Sequence, residues 1–362
     1  MKIALFLIGY GNVAQRFVQL LDESKQYLDG QGIEPAIAGV ITRRHGRAVN
    51  LPAGATHTTI ADAMARDITV EPEPLEFLAT TLDDPQAQKL PVRVLVETTT
   101  LDIRAGEPAT SYVRAALSRG IHVITANKGP VAFAHRQLAD EAGKTGASFL
   151  FEGAVMDGIP IFNLVRETMP GVTIRGFRGV VNTTTNYLLA AMERGEPFDA
   201  ALGRMQAAGV AEADASLDVD GWDAAAKTAA LANVWLGADL TPHLIHRNGI
   251  TSETGVRARD ALAGGQRLKL VASASGIGRE AAGRVDLVEL PLDDPLAILE
   301  EHGNALEIDT WPLGRVVITQ RDGGLEKTAY ALLTDLVTVA QREMAARRPP
   351  RDAAWRRAHR ND

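Results

Sequence analysis

At 362 residues the chain exceeds one ordinary hydrophobic core, so two domains are expected. With 46% hydrophobic and 23% charged residues it is not a disordered chain, and its net charge of -7 argues against a general polyanion binder, so no nucleic-acid partner is expected. Zero cysteines exclude disulfides, thiolate nucleophiles and cysteine-ligated metals, and point to a cytoplasmic location.

"MKIALFLIGYG" carries a short apolar run without a cleavage pattern and far below membrane-spanning length, so no membrane partner is expected and a buried strand is. With the following "NVAQRFVQLL" it reads as strand, turn, helix. "AIAGVIT" (36–42), "VRVLVETT" (92–99), "IHVITAN" (121–127) and "ASFLFEG" (147–153) read as further buried strands. "PATSYVRAALSRG" and "VAFAHRQLADEAGKTG" are the helices between the later ones. This alternation predicts an α/β fold with a parallel, doubly wound Rossmann sheet. "EPEPLEFLATTLDDPQAQKLP" reads as a surface excursion. After about residue 153 the pattern changes to a second α+β domain. A strand leads into a helix in "TIRGFRGVVNTTTNYLLAAMERG", and strands follow at "RLKLVASAS", "VDLVELPL" and "GRVVITQR". "LEKTAYALLTDLVTVAQREMAARR" reads as a long helix, and the arginine-rich end as a frayed tail.

Gly9, Gly11 and Ala14 form G-x-G-x-x-A directly after the first strand. Gly9 permits the tight turn, Gly11 lets backbone approach a pyrophosphate, and Ala14 allows close helix packing. The acid that usually binds an adenosine ribose after the second strand is absent. "ITRRHGR" stands there, and the guanidinium groups of Arg43 and Arg44 suit a 2'-phosphate, which favours NADP and leaves NAD possible. Thr98, Thr99 and Thr100 end one later strand, and Asn127 with Lys128 ends the next, on the edge where such sheets bind ligands.

"EADASLDVDGWDAAAK" packs Glu212, Asp214, Asp218, Asp220 and Asp223 into twelve residues before Lys227. Asp220 reads as a helix N-cap. Asp223 and Lys227, at i and i+4, share one face of an otherwise apolar helix. A lysine so placed has its protonation set by desolvation against a nearby carboxylate, and can donate or accept a proton. The acids ahead of it suit a substrate ammonium. The bland alternative is a capped helix with one surface ion pair.

"FEGAVMDGIP", "VVNTTTNYLLAAMERGEPFDAAL" and "AGVAEADASLDVDGWDAAAK", with "ITANKGPVA" and the glycine loop, resemble the motif series of homoserine dehydrogenase in order and spacing, over roughly residues 1–340. The resemblance implies NAD(P)-dependent interconversion of L-homoserine and L-aspartate 4-semialdehyde, in threonine and methionine biosynthesis. It implies Lys227 as acid/base, Asp223 holding that lysine and the substrate hydroxyl, and Lys128 between nicotinamide and substrate. Glu212, Asp218 and Thr184 would bind substrate, and Gly9, Gly11, Asn12, Val13, Thr99, Gly209 and Gly324 the cofactor. "EGAVMDGI" resembles the family's monovalent-cation loop, in which Glu152 and the carbonyls of Val155, Asp157 and Ile159 surround sodium. Met156, Asp157 and Thr183 depart from the small residues common at those positions. A homodimer built through the second domain is also implied, and no regulatory ACT domain is expected.

The expected organisation is a dinucleotide-binding domain at 1–152 and a catalytic and dimerisation domain at 153–320. A helix at 321–345 packs back on the first domain, and a basic tail at 346–362 takes no part in assembly. Related cysteine-dependent dehydrogenases are excluded by composition, and His243 and His246 lack the partnered aspartate of a lactate- or malate-type enzyme. The alternative from another class is a catalytically silent NADP-binding sensor or regulatory subunit, which a turnover assay separates.

Overall fold

A computed structural model describes residues 1–43, 47–49, 55–66, 75–76, 82, 92–207 and 214–347. The first apolar run forms β1 (Lys2–Ile8), buried throughout after Lys2. Alternation sends Ile3, Leu5 and Leu7 to one face, against α1 (Asn12–Glu23), and Phe6 and Ile8 to the other. Both faces are covered, which is why the strand reads as a continuous apolar run rather than an alternating one.

There follow α2 (Lys25–Gly30), β2 (Glu34–Ile41), β3 (Arg47–Val49), α3 (His57–Arg66), β4 (Arg93–Glu97), α4 (Ala109–Leu117), β5 (His122–Thr125), α5 (Lys128–Thr145) and β6 (Phe149–Leu150). The sheet order is β3-β2-β1-β4-β5-β6, parallel except for β3 against β2. The order reverses between β1 and β4, which opens a crevice at the strands' C-terminal ends. The strand expected over 147–153 is only Phe149–Leu150, because Glu152–Ala154 turn at once into a 3-10 helix. The excursion at 71–91 lies almost wholly outside the described residues.

The second unit contains α6 (Ile161–Thr168), β7 (Thr173–Val180), α7 (Thr183–Glu193), α8 (Phe198–Ala207), α9 (Ser216–Val219), α10 (Trp222–Trp235), β8 (His246–Arg247), α11 (Thr254–Ala263), β9 (Gln266–Ser275), β10 (Ala282–Pro291), β11 (Asn304–Trp311) and β12 (Gly314–Gln320). Its sheet runs β12-β11-β7-β9-β10-β8, antiparallel except for β8 beside β10. Helices α7, α10 and α11 pack against this sheet.

The last helix, α12 (Leu325–Ala346), returns to the first sheet, where Ala329, Leu332, Leu336 and Val339 join the core of Leu5 and Phe17. The two sheets share an aromatic seam. Phe149, Phe151, Phe162, Trp235 and Phe177 stand in sequence with ring centroids 5.0, 4.9, 5.8 and 5.9 Å apart. Helices α5 and α10 pack along one another beside it, so the end of β5 and the start of α10 are held face to face. No helix among the described residues is long and apolar enough to cross a membrane.

Candidate active site

The turn after β1 forms as its sequence predicts. Gly9 has φ +86, and a Cβ there would lie 2.9 Å from the carbonyl of Thr98, so only glycine lets β1 and β4 end this close together. Gly9 N–H donates to Ile41 O (2.9 Å), and Thr98 Oγ1 donates to Gly9 O (3.2 Å). Gly11 precedes α1, and a Cβ there would meet nothing within 4 Å; its backbone faces open space at the start of a twelve-residue helix. A cleft of about 700 Å³ opens here, lined by Gly9, Gly11, Asn12, Arg43, His57 and Thr99 among others. An open backbone at a helix N-terminus, over the reversal point of a parallel sheet, fits a dinucleotide pyrophosphate.

The cleft floor is tied to α5 by a buried carboxylate that the sequence reading passed over. Glu97 accepts from Thr99 N (2.8 Å), Thr125 Oγ1 (2.6 Å) and Asn127 Nδ2 (3.5 Å), which joins the ends of β4 and β5. Burial pushes its carboxyl up, and these donors oppose that rise. Asn127 caps α5 by accepting from Gly129 N (2.9 Å), so Lys128 is the first helical residue.

Lys128 reaches across to the second unit. Its Nζ lies 3.1 Å from Asp223 Oδ1, and Lys227 Nζ lies 3.1 Å from Asp223 Oδ2, so one carboxylate bridges two ammonium groups. Lys227 also donates to Val181 O (2.6 Å), at the end of β7. Asn182 holds the group from the next position. Its Nδ2 donates to Asp223 Oδ2 (2.8 Å) and Asp218 Oδ1 (2.7 Å), while its Oδ1 caps α7 by accepting from Thr185 N (2.8 Å). Thr184 is buried and also bonds Asp218.

The charges are coupled. Burial pushes the Asp223 carboxyl up, but Lys227 and Lys128 outweigh it and hold it well below the usual carboxylate range. Burial pulls the Lys227 ammonium down, but Asp223, then Asp157 and Asp218, leave it above the ordinary lysine value. Asp218 is raised, by burial first and the Asp223 charge second.

Several expected residues stand elsewhere. Asp220 does not cap α10; Gly221, left-handed at φ 79, takes the N-cap position and Asp220 closes α9. Val13, in the first turn of α1, packs its side chain on the core. Gly324 N–H donates to Asp157 Oδ2 (2.8 Å). Glu152 caps α6, accepting from Phe162 N (2.8 Å) and Asn163 N (2.6 Å). Beside it Asp335 of α12 accepts from Glu152 N (2.8 Å). Burial, then the Asp335 charge, push Glu152 up to about 8, and burial pushes Asp335 up to about 6. The Ile159 carbonyl accepts from Ile161 N (2.8 Å). Arg44, Gly209 and Glu212 lie outside the described residues.

A glycine-turn dinucleotide cleft that ends at a buried lysine–carboxylate cluster defines an oxidoreductase of the Rossmann type. Residues 9–152 match the model for the homoserine dehydrogenase NAD-binding domain, and residues 160–337 that for homoserine dehydrogenase. The chain belongs to the homoserine dehydrogenase family, NAD(P)-dependent oxidoreductases that act on a CH–OH group. The NAD(+)-dependent homoserine dehydrogenase of Pseudomonas canavaninivorans is 33% identical over 345 residues, 93% of this chain and 96% of that protein. A putative homoserine dehydrogenase from Archaeoglobus fulgidus superposes with a TM-score of 0.79 at 26% identity, covering 93% of this chain and 99% of its own. A hyperthermophilic archaeal homoserine dehydrogenase in complex with NADPH gives 0.75 at 25% identity, over 94% of this chain and 98% of its own.

Proposed function

We propose that Lys227 is the acid/base of homoserine dehydrogenation in this chain, with Asp223 and Lys128 as its partners. The observation that carries this is the single carboxylate of Asp223 held 3.1 Å from both ammonium groups. A lysine has three N–H donors, and Asp223 and Val181 O engage two of those on Lys227, which leaves one for a substrate oxygen. When bound, the dinucleotide supplies the hydride for aldehyde reduction and takes it up in the reverse direction. As negative charge grows on the carbonyl oxygen, Lys227 delivers its proton there, and in the reverse direction it takes the hydroxyl proton. Lys128 supports the same oxygen side, and Asp223 keeps both lysines oriented. Asp218 and Thr184 form the polar wall next to Asp223 and are assigned to the substrate. Glu212 is assigned to its amino group on the resemblance alone, and Gly209 to the cofactor likewise.

NADP is the favoured cofactor. No carboxylate follows β2, and Arg43 stands on the rim of the cleft. The structurally similar archaeal enzyme is in complex with NADPH, whereas the Pseudomonas relative is named for NAD(+), so NAD is retained as a second cofactor. A monovalent cation, sodium by the resemblance, is assigned to Glu152 and the carbonyls of Val155, Asp157 and Ile159. Glu152 and Asp335 place two buried carboxyl groups at the start of this loop; burial raises both, and a bound cation would favour their ionised forms. The chain is assigned as a homodimer through its second sheet.

One spectrophotometric experiment tests the central reading: homoserine oxidation by the parent and Lys227→Ala, with each cofactor, with and without sodium. Lys227→Ala is expected to lower kcat by about 10²–10⁴ with the dissociation constant for NADPH nearly unchanged. A variant that keeps most of its activity would remove Lys227 from the chemistry.

A further inference from the structure

Asp157 is the one non-glycine residue among those described with a left-handed backbone, at φ 47. That conformation is unfavourable for an L-residue, and aspartate is among the few that tolerate it. The consequence is a directed carboxylate. Asp157 Oδ2 accepts from Gly324 N (2.8 Å) and Oδ1 from Thr328 Oγ1 (3.1 Å), so both oxygens seat on the first turn of α12. The two segments touch through backbone as well. A Cβ on Gly158 would lie 2.4 Å from Lys327 O, and one on Gly323 would lie 2.7 Å from Asp157 Oδ2.

This junction reaches both halves of the site. On one side the Asp157 charge acts on the Lys227 ammonium, second among the carboxylates only to Asp223. On the other, Glu326 in the same turn of α12 pairs with Arg16 of α1, the helix that begins at the cofactor cleft. Asp157 therefore ties the segment after β6 to the turn of α12 that pairs with the cofactor helix, within electrostatic reach of Lys227.

We propose that the Asp157 carboxylate is a positioning residue for the dehydrogenase reaction, latching the 157–158 turn to α12 and so fixing the wall of the site next to Lys227. The proposal rests on Lys227 being the acid/base, and the two fail differently: Lys227→Ala tests the proton, and the variants below test placement with Lys227 intact.

The test uses two substitutions in the full chain. Asp157→Gly keeps the backbone freedom and deletes the carboxylate. Asp157→Asn keeps the left-handed preference and one acceptor oxygen. Steady-state homoserine oxidation, fluorescence titration of NADPH and thermal unfolding are measured for each. In Asp157→Gly, kcat is expected to fall about tenfold, because small misplacements of reacting groups cost this much or more. The dissociation constant for NADPH is expected to stay within about twofold, since the cleft at Gly9 and Gly11 does not involve Asp157. Asp157→Asn should fall between Gly and the parent. A Gly variant that melts earlier yet keeps kcat within twofold would show that the carboxylate only stabilises the fold, and would overturn the proposal. So would parallel loss of kcat and NADPH binding, the mark of a general collapse. If the Gly variant does not fold, the Asn variant decides: kcat below half the parent's supports the latch, and half or more refutes it.

Discussion

One carboxylate, Asp223, decides the protonation of the site. It is mostly buried, which by itself disfavours its charge; two lysines 3.1 Å away keep it charged, and it in turn favours the charged form of Lys227. Asp223→Asn removes the largest influence that raises Lys227 and leaves burial, which lowers it. Homoserine oxidation needs the neutral amine to take the hydroxyl proton, so its rate climbs with pH as Lys227 loses its own. The rising limb of log kcat against pH should therefore move to lower pH in Asp223→Asn, with a lower plateau because both lysines lose their anchor. An unmoved limb would mean that another group titrates. Pattern was enough to single out Asp223, Lys227 and Lys128, and the resemblance added Asp218 and Thr184; the fold gathers all five in one place. Asn182 was quoted within its motif but not singled out, because its double bridge joins carboxylates 36 and 41 residues away. Asp335 did leave a signal: it shares the i+3, i+4 spacing of Leu332, Leu336 and Val339 on the apolar stripe of α12.

Elements that bury an uninterrupted apolar run were legible, and those whose polar residues find distant partners were not. β1, β4 and β5 announce themselves because both faces are covered. β11 does not, since Glu307 and Asp309 interrupt its run; Glu307 is matched only in three dimensions, by Arg178 of β7 at 2.8 Å. The cap of α10 was misread for a local reason, as Gly221 in a left-handed turn competes with Asp220 one residue earlier. A buried lysine in β9 shows the same dependence on distant partners. Lys269 Nζ donates to Asn186 Oδ1 of α7 (2.7 Å) and to Leu299 O (3.3 Å), and Asn186 Nδ2 donates to Glu300 O (2.7 Å) and Gly303 O (3.0 Å). Burial first, and Arg267 second, pull Lys269 down to about 8. The folded protein therefore releases this proton before the unfolded chain does. Between about pH 8 and 10.5 the unfolded state binds more protons, so stability from this residue rises with pH. At about 1.4 kcal/mol per pKa unit the whole window is worth on the order of 3 kcal/mol. Denaturant unfolding of the parent and Lys269→Met across pH 7–10.5 checks this. The parent should gain on the variant as pH rises, and a constant difference would place the ammonium in a better-solvated setting than the fold indicates.

At the scale of the molecule, the two sheets are finished differently. The first carries helices on both faces, whereas the second has α7, α10 and α11 on one. Along β12, Ile318 packs toward those helices, so Val317 faces the other way, where it is 41% exposed. Trp311 and Leu313, at the turn between β11 and β12, are each 57% exposed. Among the described residues β12 pairs only with β11, which leaves its outer edge of N–H and C=O groups without a strand partner. An apolar patch beside an open edge invites either aggregation or a specific partner, and a second copy of the chain satisfies both features by two-fold symmetry. Sedimentation equilibrium at micromolar concentration should accordingly give twice the 38.7 kDa of one chain. Val317→Lys, which puts a charge on the edge without touching the catalytic cluster, should shift the population toward monomer while each chain stays folded by circular dichroism. A monomeric parent would refute the dimer, and a dimer indifferent to Val317→Lys would take the interface away from this face.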